Sequence, residues 1–137
     1  MKSILVLCTH NSSRSQMAEG IINHLFSGEI KAYSAGTHPT DVNPNAIKVL
    51  HEIDIDISHH FSKNVDYFND TVIDIVITVC NDAKETCPFY PAQQIVHKGF
   101  EDPSIVTANL ALEKYRQIRN EILEWVKSDE FFTLIKS

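Results

Sequence analysis

Short apolar runs alternate along the chain with longer segments whose apolar residues recur at helical spacing. Ser3-Ile4-Leu5-Val6-Leu7 leads into Cys8 and predicts a first strand over 3–8. Residues 14–27, which include Gln16-Met17-Ala18-Glu19-Gly20-Ile21-Ile22, predict a helix closed near Ser27-Gly28, where a glycine stops it. Ile30 to Ser34 predicts a second strand, ended by Ala35-Gly36-Thr37-His38-Pro39. Asn43 caps and Pro44 opens a second helix, with Ala46, Ile47, Val49, Leu50 and Ile53 on its apolar face. Ile55-Asp56-Ile57 alternates and is expected to run extended. The run from Val72 to Val79 is β-branched almost throughout, as in a central strand covered on both faces. A polar loop over 81–93 precedes a fourth strand, Gln94 to His97, and a loop from Gly99 to Ser104. A long helix over 107–127 follows, carrying Leu110, Leu112, Tyr115, Ile118, Ile122, Trp125 and Val126. In the tail, Phe131, Phe132, Leu134 and Ile135 either dock on the core or pack against another chain.

This order predicts an α/β fold: one domain over 1–137, with a four-stranded parallel sheet and helices on both faces. Ligands of such folds sit outside the carboxyl ends of the strands. Cys8, Cys80 and the loop after His97 all fall there. There is no internal repeat, low-complexity segment or linker to suggest a second unit.

Charge and composition narrow the function. The net charge of −6 and the lack of a basic run argue against nucleic-acid binding. No run reaches the ~18 apolar residues needed to span a bilayer, and the short apolar start leads straight into a polar loop, unlike a secretory leader. Three cysteines in such a chain point to reduced thiols in the cytoplasm.

Cys8-Thr9-His10-Asn11-Ser12-Ser13-Arg14-Ser15 therefore ends a strand with a thiol, turns through small or polar residues, and opens a helix with arginine. Taken singly, Cys8 is a small core hydrophobe and Arg14 a surface charge. Their strand-to-helix context instead makes an anion cradle. Backbone N–H groups of the turn and the positive end of the helix converge on one spot, and that field favours the thiolate. Arg14 adds a planar fork for two oxyanion oxygens.

Cys80 closes the 72–79 run, and Cys87 follows in Asn81-Asp82-Ala83-Lys84-Glu85-Thr86-Cys87-Pro88. Zinc would need four ligands. Cys80, Cys87 and His97 lack the close pairing such sites use, so no metal is expected. Two readings remain: a buried thiol beside an incidental loop cysteine, or a relay in which Cys87 folds back toward Cys80. Asp102, in Gly99-Phe100-Glu101-Asp102-Pro103, is either a turn aspartate or an acid that protonates a departing oxygen, with Glu101 as its competitor. The histidines outside the loop are expected on the surface or in packing.

The chain resembles the thioredoxin-coupled arsenate reductases, which share the low-molecular-weight tyrosine phosphatase fold. The matching stretches are Cys8 to Gly20, Tyr33-Ser34-Ala35-Gly36, Val42-Asn43-Pro44, Asp54 to Ser58, Val79-Cys80 to Cys87-Pro88, and Gly99 to Pro103. The loop alone fits phosphatase or reductase, and the Cys80 and Cys87 pair selects reductase.

The resemblance implies that Cys8 attacks arsenate held by the 9–15 loop and Arg14, with Ser15 hydrogen-bonding the sulfur. It implies that Asp102 assists the leaving oxygen, that Cys80 releases arsenite as a Cys8–Cys80 disulfide forms, and that Cys87 passes this on as a Cys80–Cys87 disulfide. Reduced thioredoxin would be the electron donor, with no tightly bound cofactor, phosphate or sulfate as competing anions, and a monomeric enzyme. The alternatives are a phosphotyrosine phosphatase, a non-catalytic thiol module for arsenite or a soft metal, and a reductase coupled to glutaredoxin or a small thiol. Two departures stand out. His10 replaces a common glycine, so a left-handed turn is expected at that residue. Some relatives bind potassium through residues matching Asn11, Glu19, Ser34 and Lys63, where the last is a carboxylate. Here its ammonium is expected to occupy that cation site, unless it points to solvent and leaves Asp66 or water to complete a weaker one.

Overall fold

The computed structural model describes residues 1–80 and 90–136. Cys87 and most of the 81–93 loop thus lie outside the described residues. Four strands, β1 (Lys2–Leu7), β2 (Ile30–Ala35), β3 (Ile75–Thr78) and β4 (Gln94–His97), form one parallel sheet in the order β2-β1-β3-β4. The helices are α1 (Arg14–Leu25), α2 (Pro44–His51), α3 (Ala108–Val126) and α4 (Asp129–Lys136), with single-turn helices at Val65–Phe68 and Pro103–Ile105.

Alternation along β1 divides the core. Ile4, Val6 and then Cys8 face a cluster with Met17, Ile21 and Ile22 of α1, Leu50 of α2, and Tyr115, Ile118 and Ile122 of α3. Leu5 and Leu7 face the opposite side, which Phe68, Ile73 and Tyr90 cover among the described residues. Among the described residues the four longer helices thus gather over one face, and a single helical turn serves the other. Apolar burial on both sides explains the near-continuous apolarity of β1 and β3.

Asn43 caps α2 by accepting a hydrogen bond from the Asn45 N–H at 2.8 Å, with Pro44 in the first turn. Glu52, just past α2, takes a bidentate grip from Arg116 of α3 and a further bond from Arg119. These contacts, the Arg116 hydrogen bonds foremost, hold the Glu52 carboxyl down at about 2.

Two expectations shift. β3 begins at Ile75 rather than Val72, which is 85% exposed. Asp74 explains the delay: its carboxylate accepts from the Ser3 N–H at 2.8 Å and from the Ser3 hydroxyl, diverting the chain before the ladder starts. The tail docks on its own chain. Phe131 of α4 is fully buried, 5.1 Å from the Trp125 ring and 5.5 Å from Phe26.

Candidate active site

β1 pairs with β2 on one side and β3 on the other, so the chain departs from it in opposite directions and leaves a crevice at its carboxyl end. Residues 8–13 fill that crevice between β1 and α1. Cys8 emerges from β1 with its N–H bonded to the Ala35 carbonyl, and it is buried. Cys80 is buried beyond the end of neighbouring β3, and Val79 is tied to β1 through the Leu7 carbonyl. Neither Cys8 nor Cys80 is in a disulfide.

The loop is braced from outside. His38 N–H bonds the Thr9 carbonyl, Thr40 N–H the His10 carbonyl, and Asn43 N–H the Ser12 carbonyl. Gly36 brings the end of β2 so close that an added Cβ would stand 2.6 Å from the Cys8 carbonyl oxygen and collide with that of Thr9. Only glycine fits this approach. His10, which is exposed, donates from Nδ1 to the His38 carbonyl at 3.0 Å.

The left-handed residue is Asn11, at φ 50°, and not His10. Asparagine tolerates this conformation better than most residues, and here its side chain is anchored at both ends. Its Oδ1 accepts from the Lys63 N–H and from Gln16 Nε2, and its Nδ2 donates to Ser15 Oγ at 2.8 Å. Ser15 Oγ lies 2.9 Å from Cys8 Sγ. Asn11 thus fixes the Ser15 oxygen, and toward a Cys8 thiolate, which has no proton to give, the Ser15 hydroxyl is the donor.

Arg14 opens α1 but is buried. Its Nη1 donates to the Phe100 carbonyl at 3.0 Å, and its Nη2 stands 3.7 Å from Asp102 Oδ2. The opposite oxygen of Asp102 accepts from both the N–H and hydroxyl of Ser104, capping the helical turn there. Asp102 lines a small cleft with Cys8, His10, Ser12, Ser13, Arg14 and Ser104, whereas Glu101 is paired with Lys114. Of the two acids, only Asp102 faces the nucleophile.

Behind the loop lies a buried polar cluster. Glu19 accepts from the Ser34 hydroxyl at 2.6 Å, stands 3.4 Å from His60 Nε2, and lies 3.9 Å from Lys63 Nζ. Lys63 also donates to the Phe61 carbonyl at 2.8 Å and sits over the Phe61 ring. Burial raises the Glu19 carboxyl and lowers the Lys63 ammonium, and it pushes His60 down to about 4. His60, expected only as a surface or packing residue, is therefore a member of this network. Its Nδ1 donates to Gln16 Oε1, since Gln16 Nε2 is committed to carbonyl acceptors. A roomier hollow lined by Met1, His24, Lys31, Asp54 and His59 lies at the opposite, amino ends of β1 and β2. No group of three or more metal-ligating side chains occurs among the described residues.

A parallel α/β sheet with a thiol–arginine loop at its switch point, faced by an aspartate, defines the phosphatase-like class of anion-handling proteins. The chain belongs to the low molecular weight phosphotyrosine protein phosphatase family, whose pattern matches residues 3–127. It is 41% identical to arsenate reductase 2 of Staphylococcus saprophyticus over 127 residues, which cover 92% of this chain and 94% of that one. An arsenate reductase solved in the phosphate binding state superposes with a TM-score of 0.81 at 32% identity, covering 99% of this chain and 98% of that one. Another, in the oxidized state, gives 0.78 at 33% identity, covering 93% and 95%. No described helix is long and apolar enough to cross a membrane.

Proposed function

We propose that this protein reduces arsenate to arsenite, with Cys8 as nucleophile and with electrons drawn through Cys80 and Cys87 from thioredoxin. The observation that carries the reading is a second thiol, Cys80, buried at the strand end beside the Cys8 cradle. A phosphoester hydrolase needs no such partner. Relatives named arsenate reductase support the substrate, and an arsenate reductase solved in the phosphate binding state supports a tetrahedral oxyanion as ligand.

The Cys8 thiolate, supported by the Ser15 hydroxyl, attacks arsenic(V) held by the loop amides and the Arg14 fork. Asp102 gives a proton to the departing oxygen, which leaves as water. The Cys80 thiolate then attacks the Cys8 sulfur. A Cys8–Cys80 disulfide forms, the sulfur–arsenic bond breaks, and its electron pair leaves with arsenite, now arsenic(III). Cys87 attacks Cys80, frees Cys8, and leaves a Cys80–Cys87 disulfide for reduction by a dithiol. The enzyme works as a monomer in a reducing cytoplasm. Arsenate-dependent NADPH oxidation with thioredoxin and its reductase is the expected result, and peptide mapping of oxidised protein should join Cys80 to Cys87. Hydrolysis of a phenyl phosphate with no arsenate-dependent NADPH use would instead make the protein a phosphatase.

The residues beside the loop do not fit potassium. Asn11 Oδ1 already accepts two hydrogen bonds, and the Lys63 ammonium stands beside Glu19. A built-in cation there supplies the positive charge that balances buried Glu19. Arsenate turnover should thus be the same in potassium and sodium salts of equal ionic strength. A gain of several-fold specific to potassium would show that an ion displaces Lys63.

A further inference from the structure

Tyr115 lies on α3, 102 residues from the loop, and its side chain is fully buried. Its hydroxyl meets Ser13 Oγ at 2.8 Å. Ser13 occupies the cap position of α1, yet its side chain makes no capping bond. It lines the same cleft as Cys8, Arg14 and Asp102. Two hydroxyls thus share one hydrogen bond, and they hold two protons between them.

The direction of that bond follows from accounting for both protons. Among the described residues the phenol has Ser13 as its hydrogen-bond partner. Were Ser13 the donor, the phenolic proton would lie buried without an acceptor, at the cost of an unmade hydrogen bond. A phenol is also the stronger acid and the better donor. Burial keeps Tyr115 protonated by raising its hydroxyl above the ordinary range, with Asp102 adding to that rise. Tyr115 donating into Ser13 Oγ leaves the Ser13 proton to turn toward the cleft.

We propose that Tyr115 is a positioning residue that orients the Ser13 hydroxyl as a donor to the tetrahedral oxyanion. The cradle then holds its anion with the loop amides, the Arg14 fork and one neutral hydroxyl whose direction is set by α3. A neutral donor adds grip without further charge. This rests on the oxyanion-cradle reading above and assigns one more contact within it.

The test is a double-mutant cycle read by inorganic phosphate binding and by arsenate kinetics. Tyr115→Phe keeps the ring and removes only the donor. It should weaken phosphate binding and raise the KM for arsenate about 3- to 10-fold, as expected for one hydrogen bond, with kcat within about twofold of wild type. Ser13→Ala should weaken phosphate to a similar degree, and adding Tyr115→Phe to it should change nothing more. Unchanged phosphate affinity in Tyr115→Phe, or equal losses that add in the double variant, overturns the assignment. If Tyr115→Phe fails to fold, Ser13→Ala decides alone: wild-type phosphate affinity in that variant overturns the proposal. Wild-type protein that binds no phosphate would overturn the cradle reading itself, which separates the two failures.

Discussion

Replacing Cys8 with serine should lower arsenate turnover by at least about a thousandfold, because the reaction loses its nucleophile rather than one of several contacts. The two side chains are nearly the same size, so the buried position tolerates the change. Ser15 would keep its bond from Asn11 and now face a hydroxyl in place of sulfur. The loop amides, Arg14 and Asp102 would be untouched. Phosphate affinity should therefore survive while turnover vanishes. Isothermal titration with phosphate beside the coupled assay checks both halves. Turnover within tenfold of wild type would mean that another residue attacks.

Replacing Cys80 with serine should also lower steady-state turnover severely, but through a different step. Cys8 could still attack arsenate, and the adduct would then have no internal thiol to release arsenite. Multiple turnover should fall by at least about a hundredfold, since the relay sulfur is a reactant and not a support. Phosphate binding and hydrolysis of an aryl phosphate should stay near wild type, because neither uses the second thiol. Arsenite released per enzyme, measured by quenched single-turnover assay, separates a blocked relay from a damaged cradle. Full cycling in the serine variant would favour a phosphatase or direct attack by an external thiol.

Much of this architecture is legible in the chain because the signals are local. The apolar runs of β1 and β2, the Asn43-Pro44 cap and the long amphipathic stretch of α3 each announce themselves over a few residues. The placement of Cys8 and Arg14 follows from the strand–turn–helix order alone. What was misplaced depends on distant partners. β3 starts late because Asp74 is taken by Ser3, 71 residues away. The left-handed residue of the loop is Asn11 because Lys63, Gln16 and Ser15 hold its side chain, and no pattern within residues 8–15 encodes those partners. Glu101 and Asp102 are equivalent by sequence; Lys114 and Arg14 separate them. His60 and Tyr115 carried no chemical signal. A histidine beside another histidine and a tyrosine on an apolar helix face are ordinary, and only folding brings one to Glu19 and the other to Ser13.

The docked tail reaches further than its position suggests. Phe131 packs on Trp125, Trp125 meets the Phe100 ring edge-on at 6.2 Å, and the Phe100 carbonyl holds the Arg14 guanidinium. Three contacts thus connect the last helix to the cation that grips the anion. A truncation that removes α4 acts as a wedge withdrawn from behind the active site: first it frees an indole, then the backbone oxygen that keeps Arg14 aimed.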